Sequence, residues 1–348
     1  MPGFAAAGSG CARSCERLAR QITQWTNVAN SRSCIGLFWI SSCPLISRPK
    51  LRSLITEMRL EYQTALGHLY RADCLEFLAT IPDQSVATFF ADPPFNLKKN
   101  YGSKGSDDIP DVQYLKWCQS WLTEGVRVLA PGGALFLYNL PKWLMPLGTF
   151  LGSLDGMTFK HWIAVDKAHS LPIPNRLSTS HYGMLYFIKG DKPRVFNRDD
   201  VRIPVQVCRH CGRDVKDYGG HKKFLNPKGL NLSDVWDDIP PVRHKRYKSR
   251  QANQLAPVIL ERVILLTTNP GDLVCDPFAG AGTTAYVAEK LGRQWTTAEL
   301  NDTEPARSRL LEVANGTDPS WRSSTKRIMN SASHVCETAG SLFSDSQI

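Results

Sequence analysis

Apolar and polar residues alternate along the chain in a way that predicts strands and helices in turn, from Leu69 onward. Residues 85–91 form a compact apolar run, rich in β-branched and aromatic side chains, which predicts a buried strand. Residues 112–129 carry apolar side chains at helical spacing and lead into a Pro-Gly-Gly sequence, which predicts a helix that stops there. The other predicted elements are a short helix beginning at Asp73, helices at 258–266 and 284–291, and strands at 134–138, 162–165, 184–188, 273–275 and 295–298. Such alternation is typical of an α/β protein with a mainly parallel, doubly wound sheet.

The same pattern divides the chain into five segments. The first is rich in Ser, Arg and Cys, lacks periodicity and precedes a second methionine, Met58. We therefore interpret it as a disordered extension that results from a misassigned start codon. One central segment is strongly basic and loop-like, and the last is Ser-rich and expected to be a flexible tail. The predicted boundaries are 1–57 for the extension, 58–190 and 251–315 for the two ordered parts, 191–250 for the basic segment and 316–348 for the tail.

Composition narrows the class of protein and of partner. The 348 residues, 42% hydrophobic and 21% charged, are typical of a globular protein. A formal net charge of +10 favours an anionic partner, with nucleic acid as the best fit and a basic surface that only aids solubility as the alternative. No apolar run reaches the roughly 18 residues of a membrane-spanning helix. The ten scattered cysteines do not form a disulfide framework, so we expect a cytoplasmic protein without a membrane partner.

A tetrapeptide, Asp92-Pro93-Pro94-Phe95, follows the predicted strand at 85–91 directly. Ligands of open α/β sheets bind at the carboxyl ends of the strands, which is where this tetrapeptide falls. Its prolines stiffen the turn, so that a carboxylate and a carbonyl can both accept hydrogen bonds from one substrate amino group. Phe95 offers a face on which a base can stack. An ordinary proline turn with a capping aspartate is the alternative interpretation.

A second segment, DPFAGAGTT over residues 276–284, lies between a predicted strand and a predicted helix. Small residues let a backbone approach a ligand closely, and a helix N-terminus offers free N–H groups, although tight strand–helix packing would also explain the glycines. Glu299 ends the next predicted strand, where an acid is well placed to bind ribose hydroxyls.

Together these two segments resemble the DNA amino-methyltransferases, which methylate adenine N6 or cytosine N4. Residues 92–95 match that family's catalytic motif, Asp/Asn/Ser-Pro-Pro-aromatic, and residues 276–284 match its methionine-binding motif. The catalytic motif comes first, which is similar to the beta arrangement of this permuted family. The resemblance implies a Rossmann-like methyltransferase fold with an inserted target-recognition region at 191–250. It makes 58–190 the catalytic half and 251–315 the cofactor-binding half.

The resemblance also implies S-adenosylmethionine as cofactor and double-stranded DNA as substrate. Asp92, Pro93, Pro94 and Phe95 would then be catalytic. Asp73 would contact the cofactor adenine, although a helix N-cap explains that residue equally well. The other implied cofactor contacts are Asp276, Phe278, Gly280, Gly282, Thr283 and Glu299. The family commonly carries Thr-x-Lys-Pro before the last helix of its cofactor half, whereas this chain has a different sequence there, and Asn253 is our choice for that contact.

Two further features lie inside the basic segment. A dense run of charge suits phosphate contact, with a solvated loop as the alternative; its basic residues are Arg243, Lys245, Arg246, Lys248 and Arg250. Cys208 and Cys211 have the spacing of a zinc knuckle, but zinc needs four ligands, so the alternatives are a structural zinc ion and free thiols in a recognition loop.

These observations predict a site-specific DNA methyltransferase acting on adenine N6, as a monomer or homodimer, alongside a paired restriction endonuclease. Aspartate rather than serine at position 92 favours adenine over cytosine N4. Two less favoured hypotheses are methylation of RNA or protein and a catalytically silent DNA-binding protein with the same fold.

Overall fold

In the computed structural model, a single mixed sheet carries the fold. The structure describes residues 58–97, 108–166, 174–175, 177–203, 219–220, 222–224, 226, 228–239 and 254–316. The predicted extension over 1–57 and most of the tail over 316–348 lie outside these residues. No helix in this described part is long and apolar enough to cross a membrane.

Nine strands of the described chain form the sheet, in the order β1-β2-β9-β8-β3-β4-β6-β5-β7. The five strands from β2 to β4 in this order run parallel, whereas β6 is antiparallel to both of its neighbours. The strands are β1 (Arg59–Gln63), β2 (Gly67–Arg71), β3 (Val86–Ala91), β4 (Leu129–Asn139), β5 (Met157–Asp166), β6 (His181–Lys189), β7 (Val235–Trp236), β8 (Leu273–Asp276) and β9 (Gln294–Glu299).

Helices cover both faces of the sheet, as the alternating pattern predicts. They are α1 (Cys74–Ala79), α2 (Asp111–Val128), α3 (Pro141–Ser153), α4 (Pro257–Thr267), α5 (Thr283–Lys290) and α6 (Glu304–Ala314). One apolar core joins one face of the sheet to α4, α5 and α6, and a second core joins the other face to α1, α2 and α3. Successive strand residues point to opposite faces, so Phe89 and Phe90 of β3 lie in different cores, both fully buried. The predicted α/β class with a mainly parallel, doubly wound sheet is confirmed.

Strand order reverses between β8 and β3, and this reversal positions the site. From β3 the chain proceeds outward to β4 in one direction, and from β8 it proceeds outward to β9 in the other. The crossover connections therefore leave a crevice at the carboxyl ends of these two strands, where open α/β sheets bind their ligands. β3 and β8 are hydrogen-bonded neighbours, with Phe89 opposite Cys275. Residues 92–95 and 276–284 thus emerge side by side.

Some boundaries and elements differ from the sequence-based expectation. The predicted helix stop at Pro131-Gly132-Gly133 lies inside β4, where the strand bulges against β3 and Gly132 adopts a φ of 72°. Strands β1, β2 and β7 and helices α3 and α6 were not predicted, although every predicted strand and helix is present with its ends shifted by a few residues.

The basic segment 191–250 is not wholly loop-like, because part of it joins the core. β7 pairs in parallel with β5, and the Trp236 side chain is 2% exposed. Arg262 of α4 binds Asp238 through both carboxylate oxygens, at 2.9 and 2.5 Å, and lies over the Trp236 ring. The described end of this segment is therefore anchored to α4, and the boundaries of the five segments otherwise stay predictions.

Candidate active site

A cleft lies where the loops that follow β3 and β8 meet. Its lining includes Asp92, Pro93, Pro94 and Phe95 from the first loop and residues 276–281, 283 and 284 from the second. Asp73 at the start of α1 and Glu299 at the end of β9 complete the opposite side. The structure therefore brings every predicted catalytic residue together with most of the predicted cofactor contacts.

The predicted catalytic tetrapeptide is held by side chains from α2 and α3. The Tyr114 hydroxyl donates to the Pro94 carbonyl at 2.7 Å and accepts from the Asn139 side-chain amide at 3.0 Å. The indole N–H of Trp143 donates to the Phe95 carbonyl at 2.7 Å. Trp143 is placed by Pro141, which occupies the first turn of α3, where its missing N–H costs nothing. The backbone carbonyls of Pro94 and Phe95 are thus both fixed by buried donors.

Aromatic side chains surround Asp92. The ring of Phe95 lies 6.2 Å from that of Tyr138 and 5.8 Å from that of Tyr182, and the two tyrosine rings are 5.4 Å apart. Burial, and secondly the negative charge of Asp92, raise the pKa of both tyrosine hydroxyls. These tyrosines therefore stay neutral, and with Phe95 they form an aromatic surface near Asp92.

The second loop is tied together by Asp276, the last residue of β8. Its carboxylate accepts from the Thr284 hydroxyl at 2.5 Å and from the backbone N–H of Phe278 at 2.8 Å. The pKa of Asp276 is raised to about 6, chiefly by burial; the hydrogen bonds from Thr284 and Phe278 lower it, and the nearby charge of Glu299 adds a smaller increase. A buried carboxylate in this position is stabilised by any cation that enters the cleft.

The two glycines of the loop serve different purposes. Gly280 has a φ of 53° and its backbone N–H donates to Glu299 at 2.9 Å. Gly282 has a φ of 70°, and a Cβ at this position would approach the Cβ of Ala306 to 2.7 Å. Gly282 does not line the cleft, so its packing against α6 explains it. For this one glycine the observed contact supports the tight-packing interpretation.

Three predicted cofactor contacts already have protein partners. Asp73 caps α1, with its side chain accepting from the Leu75 N–H at 2.9 Å, and so the capping interpretation is confirmed. The Thr283 hydroxyl accepts from Arg309 at 2.9 Å. Glu299 accepts from the backbone N–H groups of Gly280 and Asn301. All three side chains still belong to residues that line the cleft, so capping and ligand contact are compatible.

The cleft is acidic, although the whole chain carries a net charge of +10. Four carboxylates belong to its lining residues, and no lysine, arginine or histidine is among those residues in the described part of the chain. The acidic residues are Asp73, Asp92, Asp276 and Glu299. This charge distribution suits a cationic ligand and disfavours a phosphate group.

Sequence patterns did not reveal several residues of the site. Tyr114, Asn139 and Trp143 support the predicted catalytic loop, and Trp117 lines the cleft. The residues of α2 gave only the helical apolar spacing that also marks an ordinary core face. Further lining residues that the sequence did not single out are Ala72, Cys74, Leu97, Gln254, Leu255, Leu300 and Asn301.

The remaining predicted site residues lie outside the described residues. They are Asn253, the basic residues Arg243, Lys245, Arg246, Lys248 and Arg250, and the candidate zinc ligands Cys208 and Cys211. Within the described ranges, no group of three or more His, Cys, Asp and Glu side chains could hold a metal ion. The predicted phosphate contacts and the zinc site stay predictions.

Comparison with known proteins agrees with this geometry. A family model described as DNA methylase matches residues 86–304, which include both loops of the cleft. The chain belongs to the DNA methylase family. Among relatives, Type II methyltransferase M.BamHI of Bacillus amyloliquefaciens is 50% identical over 256 residues, an alignment covering 74% of this chain and 60% of that protein. Type II methyltransferase M1.MboII of Moraxella bovis is 31% identical over 247 residues, covering 68% of this chain and 92% of that protein.

A solved DNA methylase has the same fold. The structure titled PvuII DNA methyltransferase (cytosine-N4-specific) aligns with a TM-score of 0.54 at 19% identity, covering 78% of this chain and 93% of that one. This likeness confirms the Rossmann-like methyltransferase fold. The chain spans only 60% of the length of M.BamHI. The activity, substrate and partners of this chain therefore have to be argued from its own residues.

Proposed function

We propose that this DNA methylase family member transfers a methyl group from S-adenosylmethionine to an exocyclic amino nitrogen of a base in double-stranded DNA. The observation that carries the proposal is the shared cleft at the carboxyl ends of β3 and β8. There the Asp92 loop, suited to an amine, opens beside the acidic loop that follows β8. Two ligands held in these adjoining loops would meet at one point.

The residues present fit S-adenosylmethionine. That molecule, when bound, supplies a methyl group activated on a sulfonium cation. The acidic lining suits its positive charges, and Glu299 at the end of β9 suits its ribose hydroxyls. Asp276 and Phe278 would contact its methionine and adenosine portions, with Gly280 and Thr283 at the loop backbone.

In the proposed reaction the protein prepares the amine as nucleophile. An exocyclic amino group is a weak nucleophile because its lone pair is delocalised into the ring. Asp92 and the Pro93 carbonyl would accept hydrogen bonds from its two N–H groups, which favours a pyramidal nitrogen with its lone pair directed outward, and Asp92 would take up the proton that the nitrogen loses once it is methylated. Tyr114 and Trp143 hold the neighbouring carbonyls, so these acceptors stay in place without a cost of reorganisation.

The base must leave the DNA stack to reach Asp92, at a cost of a few kcal/mol. Phe95, flanked by Tyr138 and Tyr182, offers a surface that replaces part of the lost stacking. Phosphate contacts are assigned, by prediction, to the basic residues over 243–250. A paired restriction endonuclease is the partner that we expect for such an enzyme, and a monomer or homodimer the expected assembly.

Adenine N6 is the first target to test, because position 92 carries aspartate, and cytosine N4 is the alternative. Unmethylated DNA should be incubated with the protein and isotopically labelled S-adenosylmethionine, then digested to nucleosides, with Asp92→Ala as the control for background. We expect label in N6-methyldeoxyadenosine. Label in N4-methyldeoxycytidine would show that the target is cytosine N4, and the proposed mechanism would still apply. Label in neither nucleoside above that background would overturn the proposed function.

A further inference from the structure

Trp117 lies where the two loops of the cleft meet. It is half-buried on α2 and lines the cleft, and its ring centroid is 5.7 Å from that of Phe278 in an edge-on arrangement. On its other side its ring is 5.8 Å from that of Tyr114, whose hydroxyl binds the Pro94 carbonyl. The indole therefore contacts the loop that follows β8 directly and is joined to the loop that follows β3 through Tyr114.

This junction is the place where the reactive centre of a methyl donor must lie. In-line transfer requires the amine at Asp92, the methyl group and the sulfonium to be collinear and close together. A donor held along the loop after β8 would approach Asp92 past Trp117, which contacts Phe278 of that loop and packs against Tyr114, the donor to the Pro94 carbonyl.

The charge of the surroundings favours a cation at this point. The described lining of the cleft contains four acidic residues and no lysine, arginine or histidine. Aromatic faces attract cations, and tryptophan does so most strongly of the natural side chains. Methyl transfer turns the sulfonium into a neutral thioether, so a contact of this kind is present with the donor and absent with the product.

We propose that the indole of Trp117 contacts the sulfonium portion of S-adenosylmethionine and lets the cleft distinguish the charged donor from S-adenosylhomocysteine. This inference rests on the proposed function. It predicts that removing the indole changes the ratio of the affinities for S-adenosylmethionine and S-adenosylhomocysteine. A loss of packing alone would lower both affinities equally and leave their ratio unchanged.

The chain offers a matched control one helical turn away. Trp121 also packs edge-on against Phe278, with ring centroids 5.0 Å apart, but it is fully buried and does not line the cleft.

The indole N–H of Trp117 has no hydrogen-bond partner among the described residues. Replacing this indole by a phenyl ring therefore removes no hydrogen bond seen in the structure.

The test is isothermal titration calorimetry of the full chain with S-adenosylmethionine and with S-adenosylhomocysteine. For Trp117→Leu we expect the affinity for the donor to fall about fivefold more than the affinity for the product, which corresponds to about 1 kcal/mol of cation–π attraction. Trp117→Phe, which keeps a weaker aromatic face, should lower the ratio about twofold, and Trp121→Phe should leave the ratio unchanged.

Equal losses of both affinities in Trp117→Leu, or none, would overturn the inference and leave Trp117 as a packing residue. The same change of ratio in Trp121→Phe would also overturn it. If circular dichroism shows that Trp117→Leu does not fold, an unchanged ratio in Trp117→Phe decides against the inference. Failure of the wild-type chain to bind S-adenosylmethionine at all would instead count against the proposed function.

Discussion

Replacing Tyr114 by phenylalanine removes one oxygen atom at the point where α2 supports the catalytic loop. The ring is 2% exposed and packs 4.5 Å from the Trp143 ring, and phenylalanine keeps that packing. The lost hydroxyl leaves the Pro94 carbonyl without its buried donor and the Asn139 amide without its acceptor. Asn139 is fully buried, so water cannot easily replace that partner.

The magnitude follows from these two bonds. Leaving a buried amide unsatisfied costs about 1–3 kcal/mol, so we expect the free energy of unfolding to fall by about 2 kcal/mol. The Pro94 carbonyl is next to Asp92 and Pro93, and a displacement of about 1 Å at a reacting group costs about 100-fold in rate. We therefore expect kcat to fall about 10- to 100-fold in Tyr114→Phe, with the Kd for S-adenosylmethionine changed less than about threefold.

The measurements are urea denaturation, methyl incorporation into DNA at saturating substrate, and calorimetric cofactor binding. Thr123→Ala is the control, because it removes an exposed hydroxyl of the same helix that bonds only to the Gln119 carbonyl, and it should change none of the three quantities by much. A kcat within twofold of wild type, accompanied by the expected loss of stability, would show that Tyr114 supports the fold but does not position the catalytic loop. An unchanged stability would refute the hydrogen-bond reasoning itself.

Three further changes test the assignments in the cleft. Asp92→Ala should abolish methyl transfer while cofactor affinity stays within a few-fold; activity within tenfold of wild type, about 1.4 kcal/mol of barrier, contradicts the role of Asp92. Gly280→Val should weaken calorimetric binding of S-adenosylmethionine at least about tenfold, because a β-branched residue is strained at a φ of 53° and crowds the loop; unchanged affinity excludes the assignment. Asp276 has a folded pKa of about 6, above its ordinary 3.8, so the folded state holds its proton more tightly and stability should fall by about 2 kcal/mol as pH rises from about 4 to about 6.5. Urea denaturation across that range should show this fall in wild type and lose it in Asp276→Asn, and parallel profiles would refute it.

The parts of the fold that sequence patterns predict are those with a local cause. Residues 86–91 are buried throughout, and apolar except for Thr88, because β3 is covered on both faces, and α2 shows helical spacing because only one side of it meets the core. The placement of both motifs at one crevice also followed, since each motif comes directly after a strand and parallel strands end at one edge of the sheet.

The parts that were not predicted depend on contacts between distant residues. The bonds from Asn139 to Tyr114 and from Trp143 to Phe95 join positions 25 and 48 residues apart, and no spacing rule connects them. β7 is two residues long, too short for periodicity, and is held in the sheet by the burial of Trp236. The Pro-Gly-Gly sequence was predicted to end a helix, and its glycine does adopt the positive φ of a turn. The sequence lies inside a strand instead, because a β-bulge also uses a glycine with positive φ.

Net charge alone gives an incomplete account of the proposed ligands. The chain is basic overall, which suits DNA, yet its cleft collects carboxylates, which repel phosphate. Both facts are consistent if only the base enters the cleft and the phosphates stay outside it. At physiological ionic strength charges are screened over about 8 Å, so a basic surface can attract the backbone without cancelling the acidic field deeper in the cleft. The base itself is uncharged and is not repelled, and the acidic field is left to act on the cationic donor. Under the proposed function, this division of charge would separate the two ligands and would make an extruded base the part of DNA that reaches Asp92.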